Sequence, residues 1–125
     1  MKKIFVTAIN CIDGRVQEPI IKFLIEKFKS DYVDLITEPG PDKILSGQEG
    51  ADAIESIKRR TLVSIVNHKS KVIIVAGHHD CAANPVGKEE HYRQIKKAAQ
   101  NIKGWNLKVD VYGVWVNEKW EVNLI

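Results

Sequence analysis

Lys71-Val72-Ile73-Ile74-Val75-Ala76-Gly77-His78-His79-Asp80-Cys81 is the stretch whose reading decides the fold. Residues 71–76 form an almost continuously apolar, β-branched run, the pattern of a central strand in a parallel sheet that is covered on both faces. Gly77 is expected to end that strand sharply. Side chains of the metal-binding type, His78 and Cys81, follow at once.

Working outward, the segment from Gly50 to His68 carries Ala53, Ile54, Ile57, Leu62, Ile65 and Val66 at helical spacing. Lys3 to Ile9 is a second apolar, β-branched run, bounded by Asn10 and Asp13-Gly14, and reads as a buried strand closing in a turn. From Val16 to Lys29, Ile20, Ile21, Leu24, Ile25 and Phe28 recur every three or four residues, which predicts a helix with one face on the sheet. Tyr32 to Thr37 reads as a strand stopped by Glu38-Pro39-Gly40-Pro41, where proline fixes an extended backbone that cannot continue a ladder. A functional loop is expected there.

Downstream, Lys88 to Lys103 predicts a charge-rich helix with a solvated outer face, ended near Gly104. Leu107 to Val116 and Trp120 to Leu124 read as strands joined through Asn117-Glu118-Lys119 as a hairpin, the last of them an edge. Alternating strands and helices imply an α/β fold of three layers. Its sheet is mostly parallel, ordered 2-1-3-4 with an antiparallel edge strand, with right-handed crossovers and helices on both faces. Residues 1–125 are expected to form one domain.

The 125 residues are 44% hydrophobic, enough for one core, and 28% charged, with a net charge of +3. The densest basic run, Lys58-Arg59-Arg60, is short, so no nucleic-acid footprint follows. No apolar run approaches the roughly 20 residues needed to cross a bilayer, and Met1-Lys2-Lys3 is not followed by a signal peptide's apolar stretch. The cytoplasm is the expected location. Two cysteines, far apart, are not a disulfide framework, and in a reducing cytosol they point to metal or redox chemistry.

Cys11, Asp13 and Arg15 lie just after the first strand, and His78 and Cys81 just after the third, so both groups leave carboxyl ends of parallel strands. An order of 2-1-3 places the topological switch between these strands, where open α/β sheets bind ligands. Two thiolates and an imidazole are ligands that zinc prefers, and three protein ligands leave its fourth position open, as in catalytic sites. There zinc lowers the pKa of a bound water toward about 7, so that hydroxide is available at neutral pH. Asp13 is placed to accept a hydrogen bond from that hydroxide, and Arg15 to hold the carboxylate by a bidentate pair.

Cys11-Ile12-Asp13-Gly14-Arg15 and Gly77-His78-His79-Asp80-Cys81 resemble the two zinc-site signatures of the β-class carbonic anhydrases. The segment from Gly50 through Gly77 and the run from Val111 to Val116 are similar to that family's helix, strand and late strand. The resemblance implies zinc as cofactor, with Cys11, His78 and Cys81 as ligands and Asp13 and Arg15 as the catalytic dyad. It further implies reversible hydration of carbon dioxide to bicarbonate, or of a related heterocumulene, in a homodimer or higher homo-oligomer. It favours His78 over His79 as ligand and leaves His79 at the pocket edge. Ala82 departs from the family's glycine, and Glu38 to Pro41 from its asparagine- and glycine-containing loop. With ten residues before Cys11, the family's helical arm is expected to be missing here. In some relatives the equivalent of Asp13 binds zinc directly at lower pH.

Two further readings stay open at this point. One is a zinc-holding protein without turnover; the other is a thiol redox protein joining Cys11 to Cys81, which needs Cα atoms within about 7 Å. His68 and His91 fall on predicted helices without acidic partners at useful spacing, so surface or capping roles are expected. Trp105, Trp115 and Trp120 are expected to cover a sheet edge or an interface, without chemistry.

Overall fold

A computed structural model describes residues 2–48 and 50–125. Five strands form one sheet in the order β2-β1-β3-β4-β5: β1 (Phe5–Cys11), β2 (Tyr32–Glu38), β3 (Val72–His78), β4 (Asp110–Val116) and β5 (Val122–Leu124). All pairings are parallel except β4 with β5. The helices are α1 (Gly14–Phe28), the short α2 (Pro41–Lys43), α3 (Ala51–Asn67) and α4 (Lys88–Lys103). A wide turn, Ile44–Gln48, continues α2 and breaks at Gly47, whose φ is 95°.

The chain leaves β1 in one direction to reach β2 and returns past β1 to reach β3. Right-handed crossovers then force α1 and α3 onto opposite faces, with α4 beside α3. The two cores follow from the strand's period of two. Val6, Ala8, Ile74 and Ala76 pack with Val16, Ile20 and Leu24 of α1. Ile9, Ile73 and Val75 pack with Ile57 of α3 and Ile95 and Ile102 of α4. The apolar run in β3 is thus two alternating sets, each buried under a different helix layer.

Several boundaries differ from the sequence reading. Gly77 does not end β3: it pairs with Trp115, and His78 pairs with Val116, so the ladder carries the histidine at its tip. Glycine is required there because a Cβ would overlap the Asp42 carboxylate and approach Ile95 Cδ1 to 2.9 Å. β4 starts at Asp110 rather than Leu107, since Asn106 and Lys108 have φ of 58° and 59° and interrupt the extended backbone. Trp120, with φ 60°, likewise delays β5 to Val122. Neither α2 nor the turn after it was expected, yet both Ile44 and Leu45 reach the core.

Of the two histidines expected in surface or capping roles, His68 takes such a place and His91 does not. His68 follows α3 at its C-terminal cap, but its Nδ1 lies 2.6 Å from Asp34 Oδ2, an acid brought by β2, and its ring stacks on Phe5. His91 is not at the surface: it is 1% exposed and pairs with Asp42 at 2.6 Å. The charge-rich α4 therefore has a solvated side and an inner side of His91, Gln94, Ile95, Ala98 and Ile102.

Gly77→Ala should destabilise the fold by about 1–3 kcal/mol, the cost of overpacking a close-packed interior. Asp42 is short, buried and hydrogen-bonded, so it cannot retreat from the added methyl group. A urea midpoint equal to that of the wild type would contradict this packing.

Candidate metal centre

The carboxyl ends of β1 and β3 bring Cys11, His78 and Cys81 together, their ligand atoms all within 4.8 Å of one another. All three are buried, at 5%, 2% and 3% exposure. The cysteines are free thiols with sulfurs 3.9 Å apart. His78 Nδ1 lies 2.7 Å from the carbonyl oxygen of His79. A carbonyl only accepts, so the proton sits on Nδ1 and Nε2 presents a lone pair. That Nε2 is buried without a hydrogen-bond partner.

This donor set fits a divalent ion with affinity for sulfur and nitrogen. A buried nitrogen lone pair without a partner is costly unless something binds it. The thiols press the same way. Cys11 is pulled well below the ordinary thiol range, first by the hydrogen bond from Cys81, against the effect of burial, and further by His78. Cys81 is pushed up by that same bond to Cys11 and then by burial. Burial opposes charge on His78, but the Cys11 sulfur, the His79 carbonyl and the Asp13 carboxylate together outweigh it and raise the pKa. Two thiols next to an acceptor nitrogen become two thiolates when a cation binds and their protons are released.

Asp13 caps α1, its Oδ1 accepting the Arg15 backbone N–H at 2.9 Å, and this cap fixes the carboxylate at the start of the helix. Arg15 grips it through Nε at 3.0 Å and Nη2 at 2.7 Å, a bidentate charge-assisted pair. Asp13 Oδ2 stands 4.0 Å from His78 Nε2. The Arg15 bond is the main reason that the Asp13 carboxyl titrates at about 2 rather than 3.8. Asp13 and Arg15 thus adjoin the three buried side chains.

Four neighbours escaped the sequence reading. Asp80 accepts from Arg15 Nη1 at 3.2 Å through its side chain and from Nη2 at 3.1 Å through its carbonyl. Trp120, at the tip of the β4–β5 hairpin, lies under the guanidinium at 4.5 Å and faces the His78 and His79 rings. Gln17 Nε2 donates to the carbonyls of Cys11 and Asp13, both at 2.8 Å, and Asn10 Nδ2 donates to Gln17. Of these, only Gln17 carried a readable signal, sitting four residues after Asp13 on the first helix. His79 contributes its carbonyl, while its ring is exposed at the rim. Trp115, by contrast, is in the core against His91 and Tyr92, not at an edge.

A groove of about 790 Å³ runs outside Arg15 between α1 and the hairpin but does not reach the three buried side chains. A second, of about 440 Å³, borders His79, Asp80, Cys81 and Trp115.

A protein-family profile described as "Putative carbonic anhydrase" matches residues 1–125. The chain belongs to this carbonic anhydrase family. No curated protein matches it by sequence. Among solved structures it is similar to the carbonic anhydrase from Glaciozyma antarctica, at 17% identity and a TM-score of 0.58, over 94% of this chain and 80% of that one. It is also similar to the β-carbonic anhydrase CafA of Aspergillus fumigatus, at 12% identity and 0.56, over 99% and 76%. A third likeness is to a tetrameric β-carbonic anhydrase of Sordaria macrospora, at 14% and 0.54, over 100% and 82%. The α/β architecture is therefore that of the β-carbonic anhydrases.

Because the Asp13 carboxyl is depressed from 3.8 to about 2, its pairing stabilises the fold fully above pH 3.8 and is lost as pH falls toward 2. The stability gap between wild type and Arg15→Gln, followed by chemical denaturation, should be constant above pH 3.8 and close below it. A gap that closes between pH 7 and 5 would contradict the pairing.

Proposed function

We propose that this chain is a zinc-dependent lyase that reversibly hydrates carbon dioxide, or a related heterocumulene. The observation that carries the reading is the buried Cys11, His78 and Cys81 donor set, with Nε2 of His78 unpartnered and a clamped carboxylate 4.0 Å away. In this reading those three side chains are the zinc ligands, and Asp13 and Arg15 work beside them. Bound zinc supplies Lewis acidity, lowering the pKa of a water in its coordination sphere toward about 7.

The protein's own groups then have distinct tasks. The Nδ1–H bond to the His79 carbonyl fixes the tautomer and orientation of His78. Asp13 accepts a hydrogen bond from the nucleophilic O–H and so turns its lone pair toward the substrate carbon. With its carboxyl held at about 2, Asp13 is too weak a base to keep a proton at neutral pH, so it orients rather than stores. The proton released on hydration leaves by another route to solvent. Arg15, anchored by Asp80 and Trp120, keeps the carboxylate from turning inward to bind the ion.

We further propose that residues 1–125 act as one domain, in the cytoplasm, as a homodimer or higher homo-oligomer. No described helix is long and apolar enough to cross a membrane, and the similar Sordaria macrospora enzyme is described as tetrameric.

Wild-type protein should contain stoichiometric zinc by elemental analysis, and Cys81→Ser should lose most of it, since a serine hydroxyl is a far poorer ligand than a thiolate. In stopped-flow hydration of carbon dioxide, Asp13→Asn should retain zinc and lose roughly 100-fold in kcat, the scale of a misplaced reacting group. Stoichiometric zinc without hydration at any pH would sink the lyase reading and leave a zinc-holding protein without turnover.

A further inference from the structure

Behind the metal centre lies a second polar group that the reaction does not use. Asp42, Asn84, His91 and Gln94 are each 1% exposed. His91 Nδ1 donates to Asp42 Oδ2 at 2.6 Å, since a carboxylate is the acceptor. Asn84 Nδ2 donates to Asp42 Oδ1 at 3.1 Å and to Gln94 Oε1 at 2.6 Å, and the Lys43 backbone N–H donates to Asp42 Oδ1 at 3.0 Å. The surrounding core is apolar, so packing alone would favour apolar side chains in these places.

Each strand of this network ends at a different ligand of the candidate centre. The backbone N–H groups of Ala83 and Asn84 point at the Cys81 sulfur, and the Asn84 N–H also donates to the Cys81 carbonyl at 3.3 Å. The backbone N–H of Gly40, two residues before Asp42, points at the Cys11 sulfur. The two loops touch: a Cβ on Gly40 would stand 3.2 Å from Asn84 Cβ, and Gly40 has φ 61°. The Asp42 carboxylate also rests against Gly77, the residue before His78.

We propose that Asp42, Asn84 and His91 are positioning residues that clamp these loops and thereby aim the backbone N–H donors at both sulfur ligands; the proposal rests on Cys11, His78 and Cys81 being the metal site. Hydrogen bonds to a thiolate stabilise its charge and hold its direction, so the clamp sets both metal affinity and the electron density at sulfur. Loosening it leaves the three ligands in place but frees the donors.

Cobalt(II) alone, titrated into the metal-free protein and followed by absorption, tests this without reference to activity. Wild type should show sulfur-to-cobalt charge transfer and tetrahedral d–d bands. Asn84→Ala and His91→Ala should bind about 10- to 100-fold more weakly, the usual cost of removing support around a metal site, with the charge-transfer band moved to lower energy. His91→Gln, which restores an N–H donor to Asp42, should recover most of both. His68→Gln, at the Asp34 pair on α3, should lower thermal stability without moving the band. If His91→Ala does not fold, Asn84→Ala, which keeps the Asp42–His91 bond, carries the comparison. A normal wild-type band with folded variants unchanged in affinity and spectrum, or an equal shift in His68→Gln, overturns the clamp alone. A wild type without the charge-transfer band overturns the metal-site reading and the clamp with it.

Discussion

The parallel pairing of β1 with β3 is the constraint on which the rest of this molecule depends. Thr7, Ala8 and Ile9 pair with Ile73, Ile74 and Val75, so both strands run the same way and end at the same edge. Because β2 lies on the far side of β1, the loops leaving β1 and β3 diverge to opposite faces and open a crevice at their carboxyl ends. Cys11 ends β1, His78 ends β3, and Cys81 follows within one turn. A slip of one residue in that register would turn either ligand to the wrong face.

Around this crevice the protein sorts its charges by burial. The sulfur and nitrogen donors are buried, whereas the Asp13, Arg15 and Asp80 chain reaches the surface. Stacking of the guanidinium on Trp120 covers that chain on one side, which strengthens its electrostatics relative to open water. The hairpin thus contributes a residue to the site's rim as well as an edge to the sheet. Beneath, the Asp42–His91 pair spends polar groups inside an otherwise apolar layer, and its contact with Gly77 explains why the third strand carries a glycine just before its histidine.

The apolar runs and helical stripes made the element order readable, because hydrophobic period is a local property; the expected 2-1-3-4 arrangement agrees with the structure, but strand order is decided by packing and not by period. The boundaries expected at Leu107 and Trp120 shift because Lys108 and Trp120, residues with no preference for positive φ, adopt it; Asn106 alone is of a type that favours it. Gly77, expected to end the third strand, instead leaves room for a carboxylate 35 residues earlier in the chain.

For the site, the residue types and their places after β1 and β3 were enough to select Cys11, Asp13, Arg15, His78 and Cys81 as the group that meets. Chemistry of side chains and the direction of parallel strands are written in one dimension. Only the tertiary structure decided that Trp120 and Asp80 hold Arg15, that His91 is buried on Asp42, and that His68 finds Asp34. Those partners lie 34 to 105 residues apart along the chain, and no local pattern encodes which partner a distant side chain will meet until packing sets both in place.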